Sequence, residues 1–347
     1  MPLIKKVSIK DIAEAAGVST TLVSFVLNGK AEEYRINADT AKRIMDTAES
    51  MRYRPNIAAQ SLRGGRSRVV GIVLPDISNP FFSSLARLFE DMSANFGYTV
   101  FFGSSDERPD RMRKTVGNLI NRGVDGLIVA PCEDTESYLV NVAKNDVPLV
   151  LIDRYFPDTD ISYVGLNNYK ATYDATNYLL QSGYQRPAFI AYDLNLIHMK
   201  ERTRGYCESM KNAGKESVSK VFYLQQKAVV DQADELMKGV LSAGFDSLMF
   251  ATNLISLSCL YAIRTLNENV TSKIGLVGFD GNPVFDFYEK PIAYVKQPME
   301  QLVKYTLEAL MDQINGKEAP SMLIDGKLAV TGGKGLSHAE DVITRTQ

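Results

Sequence analysis

The side chains that stand out chemically are Asp76, Asn79, Phe81, Arg154, Arg202, Asn253, Asp280 and Gln297. They are far apart in the chain, yet most sit just beyond a short apolar run. Carboxylates and amides bind neighbouring hydroxyls through paired acceptors and donors, and arginine offers a planar fork of donors. An aromatic face packs against the C–H side of a sugar ring. The inventory therefore suits a carbohydrate. The two arginines suit a sugar acid or a sugar phosphate as readily. Asp76 and two neighbours of the set, Asp153 and Phe82, have a plainer reading. Asp76 would cap the helix that follows it, Asp153 would pair with Arg154, and Phe82 would be core.

The elements that must position these groups alternate in type. Val69–Leu74 is an apolar run ending at Pro75-Asp76, and a helical pattern covers Phe82–Phe96. Thr99–Phe102 reads as a strand and Arg111–Asn121 as a helix. Gly126–Ala130 and Leu149–Ile152 are further strands, and a second series follows at Ala188–Ala191, Val221–Tyr223, Ser247–Ala251 and Ile274–Phe279. Strands alternating with helices predict parallel sheets covered on both faces, and two series predict two similar lobes. In open α/β sheets, ligands bind beyond the carboxyl ends of the strands. The polar set lies there.

The first 68 residues differ in charge and pattern. They carry 12 basic and 7 acidic residues, against 27 and 34 in the remainder. A basic head on an acidic body is the asymmetry expected when one end meets a polyanion. Ser8-Ile9-Lys10-Asp11 is a capping box that starts a helix, and Gly17 stops it. Ser19 caps a second helix carrying Val23, Val26 and Leu27 on one face and ending at Asn28-Gly29. Two short helices joined by a tight turn are a helix-turn-helix. A third helix fits Asn37–Arg52. Thr20, Thr21, Ser24 and Phe25 project from the start of the second helix, the part of such a motif that enters the major groove. Threonine reads base edges and thymine methyls, whereas Phe25 offers apolar contact only, and packing in the core is its other reading. Lys10, Arg35 and Arg63 are expected to contact phosphates. Pro55 ends the third helix, and Gly64-Gly65-Arg66-Ser67 reads as a linker.

Ser8–Asn28, followed by Arg54-Pro55-Asn56 and Ser61-Leu62-Arg63, resembles the lactose-repressor (LacI) family of bacterial transcription regulators. The resemblance continues along nearly the whole chain. It implies a homodimer whose heads read a near-palindromic double-stranded operator. Thr20, Thr21 and Phe25 match base-reading positions, and Asn28, Asn56 and Ala59 join the DNA-binding set. Leu62 is then the apolar wedge that kinks the minor groove. It also implies that Arg154, Arg202, Asn253, Asp280 and Gln297 contact a small effector, with Asp76, Asn79 and Phe81 at or near the rim. The effector class is a sugar, a sugar phosphate or a sugar acid. Two departures from the family pattern stand out: Asn253 is followed by Leu254 rather than Asp, and Asn167-Asn168 replaces Asp-Asn. A third is Phe25, where members often carry Arg or His.

The expected architecture is a helix-turn-helix head over 1–53, a hinge helix and linker over 54–68, and a two-lobed parallel α/β body of periplasmic-binding-protein type over 69–340. Lobe 1 is expected at about 69–166 and 294–321, lobe 2 at about 167–293 and 322–340. The function expected is an allosteric regulator, read as a repressor, of a carbohydrate operon. A regulator controlled by a protein partner is one alternative; a sugar-active enzyme or a sugar-binding transport component is another. The enzyme reading finds little support. His198 and His338 are the only histidines, and no zinc-protease, P-loop or nucleophile-elbow motif occurs. His198 is expected at the pocket rim or the surface. Cys132, Cys207 and Cys259 form no disulfide framework or zinc pattern. No cofactor, metal or membrane is expected, and with no leader-like start the expected location is the cytoplasm.

Overall fold

A computed structural model describes residues 7–53, 65–266, 273–288 and 290–331. The chain divides into two compact units, Met1–Ser67 and Arg68–Gln347. In the first, helices α1 (Ile9–Ala16), α2 (Thr20–Leu27) and α3 (Ala38–Ser50) surround a small core. Ser8 accepts from the Asp11 amide at 3.3 Å, and the Asp11 carboxylate accepts from the Ser8 amide at 2.7 Å. Gly17 ends α1 at φ +64°, a left-handed conformation that glycine takes without steric cost. Ser19 caps α2 and Asn37 caps α3. Ile12, Ala13, Ala16, Val23, Val26, Ile44 and Ala48 fill the centre. The small Ala13 and Ala16 let the helices cross closely.

The second unit holds two six-stranded sheets. The first contains β1 (Val69–Leu74), β2 (Thr99–Ser104), β3 (Gly126–Val129), β4 (Leu149–Ile152), β5 (Tyr163–Leu166) and β11 (Met322–Ile324). Its order is β11-β5-β4-β3-β1-β2, and every pairing is parallel. The second contains β6 (Pro187–Tyr192), β7 (Lys220–Leu224), β8 (Ser247–Phe250), β9 (Gly275–Phe279), β10 (Ala293–Lys296) and β12 (Lys327–Val330). Its order is β12-β10-β9-β8-β6-β7, parallel except for β10–β12. Central strands such as β1 and β4 are buried on both faces, which is why they read as unbroken apolar runs.

The chain crosses between the sheets after β5, after β10 and between β11 and β12. Two of these crossings lie a few residues from where the sequence places them. β10 pairs with β9 in the second sheet, Ala293 opposite Val277, so residues 294–296 are not part of lobe 1. β11 pairs with β5 in the first sheet, Met322 opposite Val164, so residues 322–324 are not part of lobe 2. β11 is short and largely exposed, so it carries no apolar signal. The helix Met299–Ile314 returns to the first lobe, where Val303, Leu307 and Leu310 pack on Val70, Ile128 and Val150. At the crossings the Asn167 side chain donates to Asp325 at 3.0 Å and accepts from the Lys170 amide at 3.2 Å. An aspartate at 167 would face Asp325 as a like charge. Asparagine there is therefore matched to its neighbour.

Candidate functional site

All eight residues singled out for effector contact line one cavity between the two sheets. Asp76, Asn79 and Phe81 follow β1, and Arg154 follows β4. Arg202 comes from the helix Ile197–Asn212, Asn253 follows β8, Asp280 follows β9 and Gln297 follows β10. The cavity measures about 80 Å³, well below the roughly 300–1,000 Å³ typical of small-molecule sites.

Arg202 is held from three sides. Its Nε donates to Asn168 at 2.7 Å, its Nη1 donates to the Ala251 carbonyl at 2.5 Å, and its guanidinium lies 3.5 Å from the centre of the Phe279 ring. Burial draws its pKa down to about 10, against the charges of Asp153 and Asp280, so it remains a cation at neutral pH. Asn168 orients it, which the departure at 167–168 leaves intact. Gly205, one turn on, lets this helix approach its neighbour: a Cβ there would lie 2.3 Å from the Tyr169 carbonyl oxygen.

Asp280 accepts from Gln297 Nε2 at 2.9 Å. Burial pushes its carboxyl up to about 6, although Arg202 and the Gln297 hydrogen bond favour the anion. Burial likewise raises the Asp153 carboxyl, against Arg154 and Arg202. Both aspartates adopt positive φ, +67° and +64°, a strained conformation for a side-chain-bearing residue that turns the chain sharply off the strand end. Asn253 accepts from Asn282 at 3.2 Å, and Leu254, where the family often has Asp, lines the cavity. Gln297 Oε1 is buried without a hydrogen-bond partner among the described residues. A ligand hydroxyl would satisfy it.

The plainer readings divide. Asp153 pairs with Arg154 at 3.5 Å and also lines the cavity, as does the buried Phe82. Asp76 does not cap the following helix: its carboxylate accepts from Ser78, and Asn79 is the cap, accepting from the Phe81 amide at 3.0 Å. His198 is neither at the rim nor on the surface. It is buried in the cavity wall, and its Nδ1 has no partner among the described residues. Burial and the charges of Arg154 and Arg202 hold the imidazole well below its usual range, so it is neutral. Its position one turn before Arg202 on the same helix face was the available signal.

Glu107, Tyr192, Gln226 and Thr252 also line the cavity without having been singled out. Glu107 is the most consequential. It grips Arg154 through both carboxylate oxygens, at 2.7 and 2.8 Å, and its Oε1 also accepts from Gln226 of the second lobe at 3.2 Å. A second bond between lobes runs from the Asn195 amide to Glu133 at 2.5 Å.

In the head, Thr20, Thr21, Lys10 and Arg35 are exposed, and Ser24 is half-buried. Asn28 donates to the Ser24 carbonyl at 2.7 Å. Phe25 is half-buried but outside the core cluster; it stacks on Tyr34 with ring centres 3.7 Å apart. Asn56, Ala59, Leu62 and Arg63 lie outside the described residues. Among the described residues no helix is long and apolar enough to cross a membrane, and no cluster of metal-ligating side chains occurs.

Comparison with known proteins agrees with this division. Residues 8–56 match the bacterial regulatory proteins of the lacI family. Residues 67–325 match the periplasmic binding proteins and sugar binding domain of the LacI family. The HTH-type transcriptional regulator RegA of Clostridium saccharobutylicum is 30% identical, covering 92% of this chain and 97% of that protein. The ribose operon repressor of Halalkalibacterium halodurans is 28% identical over 89% of this chain and 91% of its own length. The crystal structure of the lac repressor dimer bound to operator and the anti-inducer ONPF superposes with a TM-score of 0.81. It covers 93% of this chain and 98% of its own at 22% identity, so the likeness there is one of fold.

Proposed function

The chain belongs to the lacI family of bacterial regulatory proteins, DNA-binding regulators rather than enzymes, and we propose that it controls a carbohydrate-utilisation operon in response to a small hydroxylated effector. The observation that carries the effector site is convergence. Carboxylate, amide, guanidinium and aromatic groups from the ends of strands in both sheets face one cavity. Relatives named for ribose, fructose and sucrose operons support the substrate class.

The coupling is a two-state equilibrium. Cleft closure around the effector reorients the first lobes across a homodimer, and the segment 54–63 transmits this to the paired heads. The sign of the response follows from the effector's differential affinity for the two states. The protein acts in the cytoplasm, where its operator is. The test is thermal stability against a panel of sugars and sugar derivatives, followed by operator selection with and without any hit. A ligand at 100 times its dissociation constant adds about 2.7 kcal/mol. A stabilising sugar that also changes operator affinity supports the proposal. A sugar that binds without changing operator affinity, or a panel with no hit, overturns it.

A further inference from the structure

We propose that Glu107 is a specificity-determining residue of the cleft: it fills the Arg154 fork as a built-in anion, so the site takes a neutral polyol and rejects sugar acids and phosphates. The inference rests on the effector site proposed above and narrows its ligand class.

An arginine that recognises a ligand carboxylate or phosphate does so through two parallel N–H donors. In Arg154 that edge is already used, since Nη1 and Nη2 both donate to Glu107. Nη1 also donates to the Pro131 carbonyl at 3.2 Å, and Nε faces Asp153 at 3.5 Å. The pair is screened from water, with side chains 6% and 16% exposed. Burial alone would raise the Glu107 carboxyl, but the charge and hydrogen bonds of Arg154, with that of Gln226, hold it below its usual range. Glu107 therefore stays ionised. Its backbone, and that of Asp106 before it, is left-handed at φ +54° and +50°, and this turn directs the carboxylate inward.

The charge of the cavity agrees. Asp76, Glu107, Asp153 and Asp280 face two arginines and a neutral histidine. Arg202, the second arginine, is oriented by Asn168 and the Ala251 carbonyl and lies near Asp153 and Asp280. An incoming anion would find the Arg154 fork already filled, would meet in Arg202 a cation whose donors are partly used by Asn168 and Ala251, and would add to an excess of carboxylates. A neutral polyol adds only hydroxyls, which carboxylates accept.

The experiment measures gluconate binding to the full-length protein by calorimetry and thermal shift, at constant ionic strength. Wild type, Glu107→Ala, Glu107→Gln and the double variant Glu107→Gln/Arg154→Met are compared. The glutamine variant keeps the side-chain size and serves if the alanine variant fails to fold. Wild type is expected to bind gluconate at least about tenfold more weakly than the variants, or below detection. Freeing Arg154 should tighten gluconate by about tenfold or more, and the double variant should lose the gain, which separates Arg154 from the basic head. Gluconate binding by wild type equal to that of the variants would overturn the proposal. So would variants that gain nothing, or a gain that persists without Arg154. This readout needs only a freed arginine, so it stands apart from whether the natural effector is a sugar.

Discussion

Replacing Asp280 by asparagine should stabilise the protein at neutral pH, and the gain should vanish on acidification. The Asp280 carboxyl moves from 3.8 to about 6 on folding because burial disfavours its charge. The folded state thus binds this proton more tightly, by about 3 kcal/mol. The sign follows from linkage: where the folded state holds more protons than the unfolded one, stability falls as pH rises. The loss begins near pH 3.8 and is complete above about pH 6. Asparagine keeps the oxygen that accepts from Gln297 and tolerates the positive φ. The attraction of Arg202 for the ionised carboxylate, which asparagine forgoes, is already contained in this net shift. The pH-dependent part is the sharper quantity, about 2 kcal/mol between about pH 4.5 and pH 7.5. At roughly 2 °C per kcal/mol for a unit of this size, the melting difference between variant and wild type should widen by roughly 4 °C over that range. Paired thermal melts at several pH values measure it. A difference that stays flat with pH, or that narrows as pH rises, refutes the account of a buried, charge-strained carboxylate.

Other consequences can be measured directly. Arg202→Ala should abolish effector response and cost about 3–5 kcal/mol at neutral pH, because buried carboxylates lose their cation; denaturant titration should show the cost shrinking in acid, and a variant that melts like wild type at pH 7 would contradict it. Ser8→Ala removes a capping interaction of α1 and should cost the head about 1 kcal/mol, seen as a lower helix signal or melting midpoint of the head with the body's transition unchanged. Operator affinity should fall steeply with salt, with a slope of about −0.9 for each phosphate neutralised; gel-shift titrations over a range of salt concentrations would show the DNA face to be misassigned if the slope were near zero.

Most of the cavity-lining side chains were readable before the structure because of a topological rule. Asp76, Arg154, Asn253 and Asp280 each lie just beyond a buried apolar strand, so finding those strands pointed to the cavity; Gln297 follows β10, whose Lys296 is exposed and which gives no unbroken apolar run. The head was readable from its caps, since Ser8, Asp11, Gly17 and Ser19 act locally and need no tertiary partner. Glu107 was not readable. It stands in a loop among charged neighbours, and its inward turn depends on two left-handed residues that no periodicity reveals. The same holds for Gln226, which reaches the cavity from the 3₁₀ turn Gln226–Ala228. Phe25 was ambiguous because its stacking partner, Tyr34, lies beyond the end of its own helix.

The interleaving of the two sheets has a consequence for synthesis. The head is complete once residue 53 has left the ribosome, but neither lobe is. The first sheet waits for the helix Met299–Ile314 to cover one face, and for β11 to complete its edge. At about 5–20 residues per second, Val150 and its neighbours stay uncovered on that face for roughly 10–30 s. A nascent chain thus holds a folded helix-turn-helix in front of an unfinished body. Release at that stage would yield a DNA-binding head without its folded body, and a sticky apolar sheet that invites chaperones or proteases.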